Sequence, residues 1–203
     1  MEEKYMDYSK TLNSIIKDVN QIMRTHPKRL LHIQGVAMCM ESFAKHYHLD
    51  EEKALVIAYL HDITKKESDR WHLKNSYPTY QSIFKNYPYY SHALSAAFVA
   101  KEKYEIKEAS ILNAITYHCT GYDELDIYAK LLIIADVCEP SRKHGDTTML
   151  YHRALNDVEV AYKMAFEIKY QTHINENQTI HPWFIKAKEK IEENHVIKNK
   201  NNY

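Results

Sequence analysis

Glycine is nearly missing from this sequence, at three residues in 203. That excludes glycine-rich phosphate loops and an architecture built on tight β-turns. Cysteine is also sparse. Its three residues are an odd number without a close pair, so no disulfide framework is expected and a reducing compartment fits. No apolar run reaches the roughly 18 residues of a membrane span. The segment MEEKYMDYSK is charged and lacks the apolar stretch of a secretory signal. Net charge is zero, which removes any bulk attraction to nucleic acid or an acidic membrane. The expectation is a cytoplasmic chain with neither as a partner.

Strand periodicity is absent as well, and helical periodicity takes its place. Leu12, Ile15, Ile16, Val19, Ile22 and Met23 recur at helical steps up to Pro27. Further helices are expected over 28–47, 51–63 (capped by Asp50), 89–104, 107–118, 124–138, 147–172 and 182–196. Short helices broken by Pro78 and Pro88 fill the segment between 68 and 88. At 203 residues this reads as one all-α bundle of roughly eight to ten elements.

Histidine is abundant, at 13 residues. Four of them, His32, His61, His92 and His118, fall on inward stripes of four predicted helices. Asp62 follows His61, and Asp136 lies inward on a fifth helix. His32 lines up with Val36, Cys39 and Phe43, and Asp136 with Ala129, Leu132 and Ile133. A lone histidine on an apolar stripe is usually a satisfied core residue, and an isolated His-Asp pair means little. Five helices that each turn such a residue inward are a different matter. Burying an unpaired carboxylate or imidazole costs several kcal/mol. Bound cations would neutralise the aspartates and satisfy the imidazoles together. Mixed His/Asp ligation suits Zn, Fe, Mn or Co rather than Ca. Six such residues suffice for two metals if one carboxylate bridges, and two metals can clamp both oxygens of a phosphoryl transfer. His26, His46, His48, His72, His144, His152, His173 and His195 read as surface residues. Cys39, Cys119 and Cys138 read as small hydrophobes rather than ligands.

The segments KRLLHIQGV (28–36), AYLHDITK (58–65), SHALSAA (91–97), NAITYHCTG (113–121) and LLIIADVCEPSR (131–142) resemble the YqeK-type HD-domain hydrolases. A weaker echo lies in NQTIHPW (177–183). The resemblance implies an HD-domain helical bundle with its core over 28–142, on which C-terminal helices over 147–196 pack. It implies symmetrical cleavage of diadenosine tetraphosphate into two ADP, at two metal ions, usually iron, with Mn, Co or Zn as alternatives. His32, His61, Asp62 and Asp136 would hold one metal, and His92 and His118 the second, with Asp62 bridging. Asp62 and Lys65 would be catalytic. Arg29, Lys65, Asp136 and Arg142 would face the polyphosphate, and Ile180, His181 and Pro182 the nucleoside. The partner would be a dinucleoside polyphosphate or ADP, and an exposed apolar helix face would allow a homodimer. The sequence departs from the family pattern at Cys119, where threonine is usual, and at Trp183 and Phe184. Two other functions stay open: hydrolysis of another nucleotide, and a non-catalytic nucleotide-binding regulator with a structural metal. Lys65 could also simply stabilise a helix C-terminus, and Arg142 could pair with Glu139.

Overall fold

The structure, a computed structural model, describes residues 8–142 and 146–200 (194–200 by their backbone alone). His144 and the side chain of His195 lie outside the described residues. Eleven α-helices and no strand occur among them. They are α1 (Ser9–Ile22), α2 (Pro27–His46), α3 (Glu51–Leu60), α4 (Asp69–Lys74), α5 (Gln81–Asn86), α6 (Ser91–Tyr104), α7 (Ala109–Tyr117), α8 (Ile127–Cys138), α9 (Thr147–Asn156), α10 (Val158–Asn175) and α11 (Pro182–Lys200).

Local chemistry sets most boundaries. Pro27 opens α2, where its missing N–H has no helical acceptor to lose. Asp50, Ser68, Asp126 and Asp146 each accept a backbone N–H at the start of α3, α4, α8 and α9. Pro78 and Pro88 open short 3₁₀ turns on either side of α5, as the sequence suggests. Several boundaries differ from expectation: α8 starts at Ile127 rather than 124, α11 runs to Lys200 rather than 196, and two further differences have a visible cause. The helix expected over 147–172 is two, because Asp157 is extended and its carboxylate accepts from Glu159 N and Val160 N at 3.0 and 3.1 Å. This cap restarts the chain as α10. α3 stops at Leu60, not residue 63. Beyond it, Ile63 N bonds Leu60 O and Lys65 N bonds Asp62 O, at 3.2 and 3.0 Å, in tighter turns.

Helix α8 is the axis of the bundle. It is apolar nearly all round and packs against α2, α7, α9 and α10. α3 lies between α1 and α2, and α6 lies on α7. Ile33, Val36, Met40 and Phe43 of α2 meet Ile57 and Leu60 of α3 and Leu132 and Ile133 of α8 in a core with no exposed surface. Truncating any one of these to alanine costs about 2–5 kcal/mol.

Two glycines set close approaches. A Cβ on Gly35 would clash with Glu139 Oε2, so the missing side chain leaves room for that carboxylate against α2. Gly121 adopts φ 66° after α7, where a Cβ would lie 2.9 Å from Tyr162 Oη and 3.0 Å from Ala187 Cβ. The turn is thereby pressed against α10 and α11. No described helix is long and apolar enough to cross a membrane.

Candidate metal centre

The six residues singled out in the sequence meet at one buried point. His32 comes from the second turn of α2 and Asp136 from the last turn of α8. His92 lies at the start of α6. His61 and His118 are the residues that end α3 and α7. Asp62 is in the turn just beyond α3.

Helix ends aim two of the rings. His61 Nδ1 donates to Ala58 O at 2.6 Å, and His118 Nδ1 donates to Ile115 O at 2.8 Å. Each carbonyl is one that a helix C-terminus leaves without an internal partner. A carbonyl only accepts, so the ring proton sits on Nδ1 and Nε2 points inward as a bare lone pair. His32 Nδ1 is held in the same way by Glu139 Oε1 at 3.0 Å.

The inward nitrogens crowd one another. His32 Nε2 and His61 Nε2 are 3.3 Å apart, as are those of His92 and His118. Asp62 stands between the two pairs. Its Oδ2 lies 3.6 Å from both His32 Nε2 and His61 Nε2. Its Oδ1 lies 3.3 Å from His92 Nε2 and 3.9 Å from His118 Nε2. Asp136 Oδ1 joins the first pair, 3.2 Å from His32 Nε2. Lone pairs that converge at such distances in a buried site repel unless a cation lies among them. The donor set therefore fits metal ions, with His32, His61 and Asp62 in one group and His92, His118 and Cys119 in another, and with Asp62 Oδ1 turned towards the second.

The protonation states of His61, His118 and His92 agree, whereas His32 faces a carboxylate at each ring nitrogen. Burial pushes His61 down to about 4 and His118 down to about 3, so both rings are neutral. Burial, with Lys65 beside it, holds His92 well below its ordinary value. Burial would also lower His32, but hydrogen bonds to Asp136 and Glu139 outweigh it and raise this ring. Asp62 and Asp136 are both held well below the carboxylate range. Burial opposes this, and is overcome by His61, Lys65, His92 and Arg29 around Asp62, and by Lys169, His32 and Arg142 around Asp136.

Four cations rim the cluster. Arg29 Nη1 donates to Asp62 Oδ2 at 2.5 Å, and Arg142 Nη2 to Asp136 Oδ1 at 2.6 Å. The Lys65 ammonium lies 3.1 Å from His92 Nε2. Lys169, on α10, pairs with Asp136 Oδ2. His181 is buried a little way off. Its ring meets Tyr87 and Tyr90, which lead into α6, with centroids 4.6 and 5.5 Å away. Its Nδ1 accepts the Trp183 N–H at 3.0 Å, which caps α11. Ile180 is half-buried, and Pro182 is exposed as the first residue of α11. Trp183 stands edge-on to Tyr117 and Tyr122, which stack on each other at 4.5 Å.

The sequence reading misses several neighbours of this centre. Cys119 is not merely a small hydrophobe, since its Sγ lies 3.2 Å from both His92 Nε2 and His118 Nε2. His72 is not a surface residue. It is buried, and its Nδ1 lies 2.8 Å from Ser95 Oγ. Thr64 Oγ1 completes that group by donating to His92 O at 2.8 Å, which ties the turn carrying Asp62 to α6. His173 is half-buried and stacks on Tyr90. Glu139 binds His32 rather than serving only Arg142. Lys169 shares the stripe of Ala165 and Phe166, so a charge on an apolar face was the available signal.

The HD domain family profile matches residues 29–141. The chain is 26% identical over 167 residues to the symmetrical bis(5'-nucleosyl)-tetraphosphatase of Halalkalibacterium halodurans, across 80% of this chain and 89% of that one. The Bacillus subtilis protein of the same name is 24% identical over 168 residues, across 81% and 88% of the two chains. Among solved structures, a predicted HD superfamily hydrolase involved in NAD metabolism from Clostridium acetobutylicum superimposes with a TM-score of 0.79 at 24% identity. The match covers 94% of this chain and all of that one.

Proposed function

Since the chain belongs to the HD domain family, we propose that it is a metal-dependent phosphohydrolase that cuts a dinucleoside tetraphosphate at its centre, taking diadenosine tetraphosphate to two ADP. The observation that carries this reading is Asp62, whose two oxygens face two separate imidazole pairs inside a ring of four cations. His32, His61, Asp62 and Asp136 would hold one metal ion, and His92, His118 and Asp62 a second. Iron is the family's usual metal, and Mn, Co or Zn suit the same donors. When bound, such ions polarise a phosphoryl oxygen and make water a better nucleophile.

The chain supplies the rest. The carbonyls of Ala58 and Ile115 and the carboxylate of Glu139 keep the ring protons on Nδ1, so the imidazoles cannot turn away. Lys65, Arg29, Arg142 and Lys169 offset charge on the phosphate chain, with the arginines able to grip two oxygens at once. Asp62 and Asp136 orient the attacking water. Water adds to one of the two central phosphorus atoms and the bond to the bridging oxygen breaks. One ADP leaves with that oxygen, and the other carries the oxygen of water. Trp183, Tyr117 and Tyr122 form an aromatic wall beside His118 for a nucleoside. The names of the curated relatives support this substrate.

Product analysis tests it. Protein purified without oxygen and supplied with iron or manganese is incubated with diadenosine tetraphosphate, and the nucleotides are separated. ADP alone is expected. AMP with ATP would place the cut at an outer phosphate and overturn the pose. No cleavage of this compound beside rapid cleavage of another nucleotide would move the substrate class.

A further inference from the structure

We infer that Cys119 is a direct ligand of the second metal, so that this site is held by two imidazoles, a thiolate and the shared Asp62 carboxylate. The inference rests on the two-metal reading above and concerns one residue that this reading does not use.

The geometry is a nearly equilateral triangle. Cys119 Sγ lies 3.2 Å from His92 Nε2 and 3.2 Å from His118 Nε2, and those nitrogens are 3.3 Å apart. A tetrahedral ion with Zn–N of about 2.0–2.1 Å and Zn–S of about 2.3 Å sets N···N near about 3.3 Å and N···S near about 3.5 Å. Asp62 Oδ1 lies on the same side, 3.3 Å from His92 Nε2 and 3.9 Å from His118 Nε2. A neutral thiol satisfies this group only if it donates to His118 Nε2 and accepts from His92 Nε2. It has one proton and faces two nitrogens, and His118 already carries its ring proton on Nδ1. A cation at the centre satisfies all three atoms. The Lys65 ammonium lies along the edge of the same ring, 3.1 Å from His92 Nε2 and 3.2 Å from Nδ1.

The thiolate makes the two sites chemically unequal. Donors at the first are imidazole and carboxylate, whereas the second adds a soft sulfur. Sulfur favours zinc, iron(II) or cobalt(II) over manganese or magnesium. Forming the bond is a proton exchange in which the thiol releases its proton to solvent as the sulfur takes the metal, without any change of oxidation state.

Cobalt(II) gives a readout independent of turnover. The full chain, stripped of metal by chelation, is titrated with cobalt(II) and followed by absorption. Two equivalents are expected, one of which brings a thiolate-to-cobalt charge-transfer band in the near ultraviolet. C119S should lose that band and bind this equivalent at least tenfold more weakly. Iodoacetamide should label Cys119 in the stripped protein and be blocked by cobalt, with buried Cys39 and Cys138 as internal references. Two bound cobalts without the band, or equal labelling with and without cobalt, would overturn the inference and leave the two-metal reading standing. Failure of the wild type to bind cobalt at all would overturn both. The wild-type spectrum and labelling decide the matter even if C119S does not fold.

Discussion

His32 Nδ1 donates to Glu139 Oε1 at 3.0 Å, and Glu139 has no exposed surface. The carboxylate is pinned further by Ser141, through its N–H and its hydroxyl, each at 2.6 Å. Burial alone would raise Glu139. His32 and Ser141 hold it below its ordinary value, so it is a charged anchor for the ring. Glu139→Gln should weaken metal binding at the first site by about 10–100-fold. Calorimetric titration of the stripped variant checks this, and unchanged affinity would remove Glu139 from the centre.

Gly35 gives that anchor its room. In Gly35→Ala the new methyl would meet a carboxylate that three donors hold in place. Overpacking of this kind costs about 1–3 kcal/mol. A lower urea midpoint with reduced metal content is expected. A variant as stable and as metal-replete as the parent would mean that Glu139 moves freely.

Asp62→Asn keeps the shape of the side chain and removes the charge shared by both sites. Turnover should fall by about 10²–10⁴-fold. Metal content should drop below two per chain while helical circular dichroism is retained. Full activity in this variant would refute the shared role.

Lys65→Met should leave metal content alone and lower kcat/KM by about 10²–10³-fold, the usual scale for a lost donor to developing charge. Lys65→Arg should recover part of the loss. If both variants match the parent, Lys65 only stabilises the turn after α3.

His181 carries a pH signature. Burial pushes it down to about 4 from an ordinary 6.5. Its Nδ1 accepts the Trp183 N–H, which requires the neutral ring. The unfolded chain therefore binds a proton that the folded chain refuses between pH 6.5 and about 4. Stability contributed by the neutral ring is intact above pH 6.5 and drains away as pH falls through that window. His181→Asn can still accept at the cap but does not titrate. Its urea midpoint should fall less than the parent's between pH 7 and pH 5, and parallel declines would contradict the assignment.

Much of the bundle is legible in the sequence, because each residue of the buried His/Asp cluster lies on or at the end of a stripe that helical periodicity marks as inward. His32 among Val36, Cys39 and Phe43 needs no partner to be noticed. What escapes the sequence depends on contacts across the chain. Lys169 reaches Asp136 only because α10 crosses α8. His72 is buried only because α4 folds onto α6, where Ser95 waits. Cys119 is a different kind of miss. Its neighbour His118 ends α7, and the tight turn that follows brings two adjacent side chains to one point, which helical spacing forbids. The break between α9 and α10 was hidden because apolar spacing continues through Asp157, and one cap outweighs it.

Gly121 leaves no room for a side chain. Tyr162 and Ala187 rest on a bend that follows His118, Cys119 and Thr120. Helices α10 and α11 thus act as a gauge block for the His/Asp cluster. An added methylene at Ala187 would press on Gly121 and be felt at the sulfur and imidazole as a change of distance. The far end of the chain sets the tolerance of the centre.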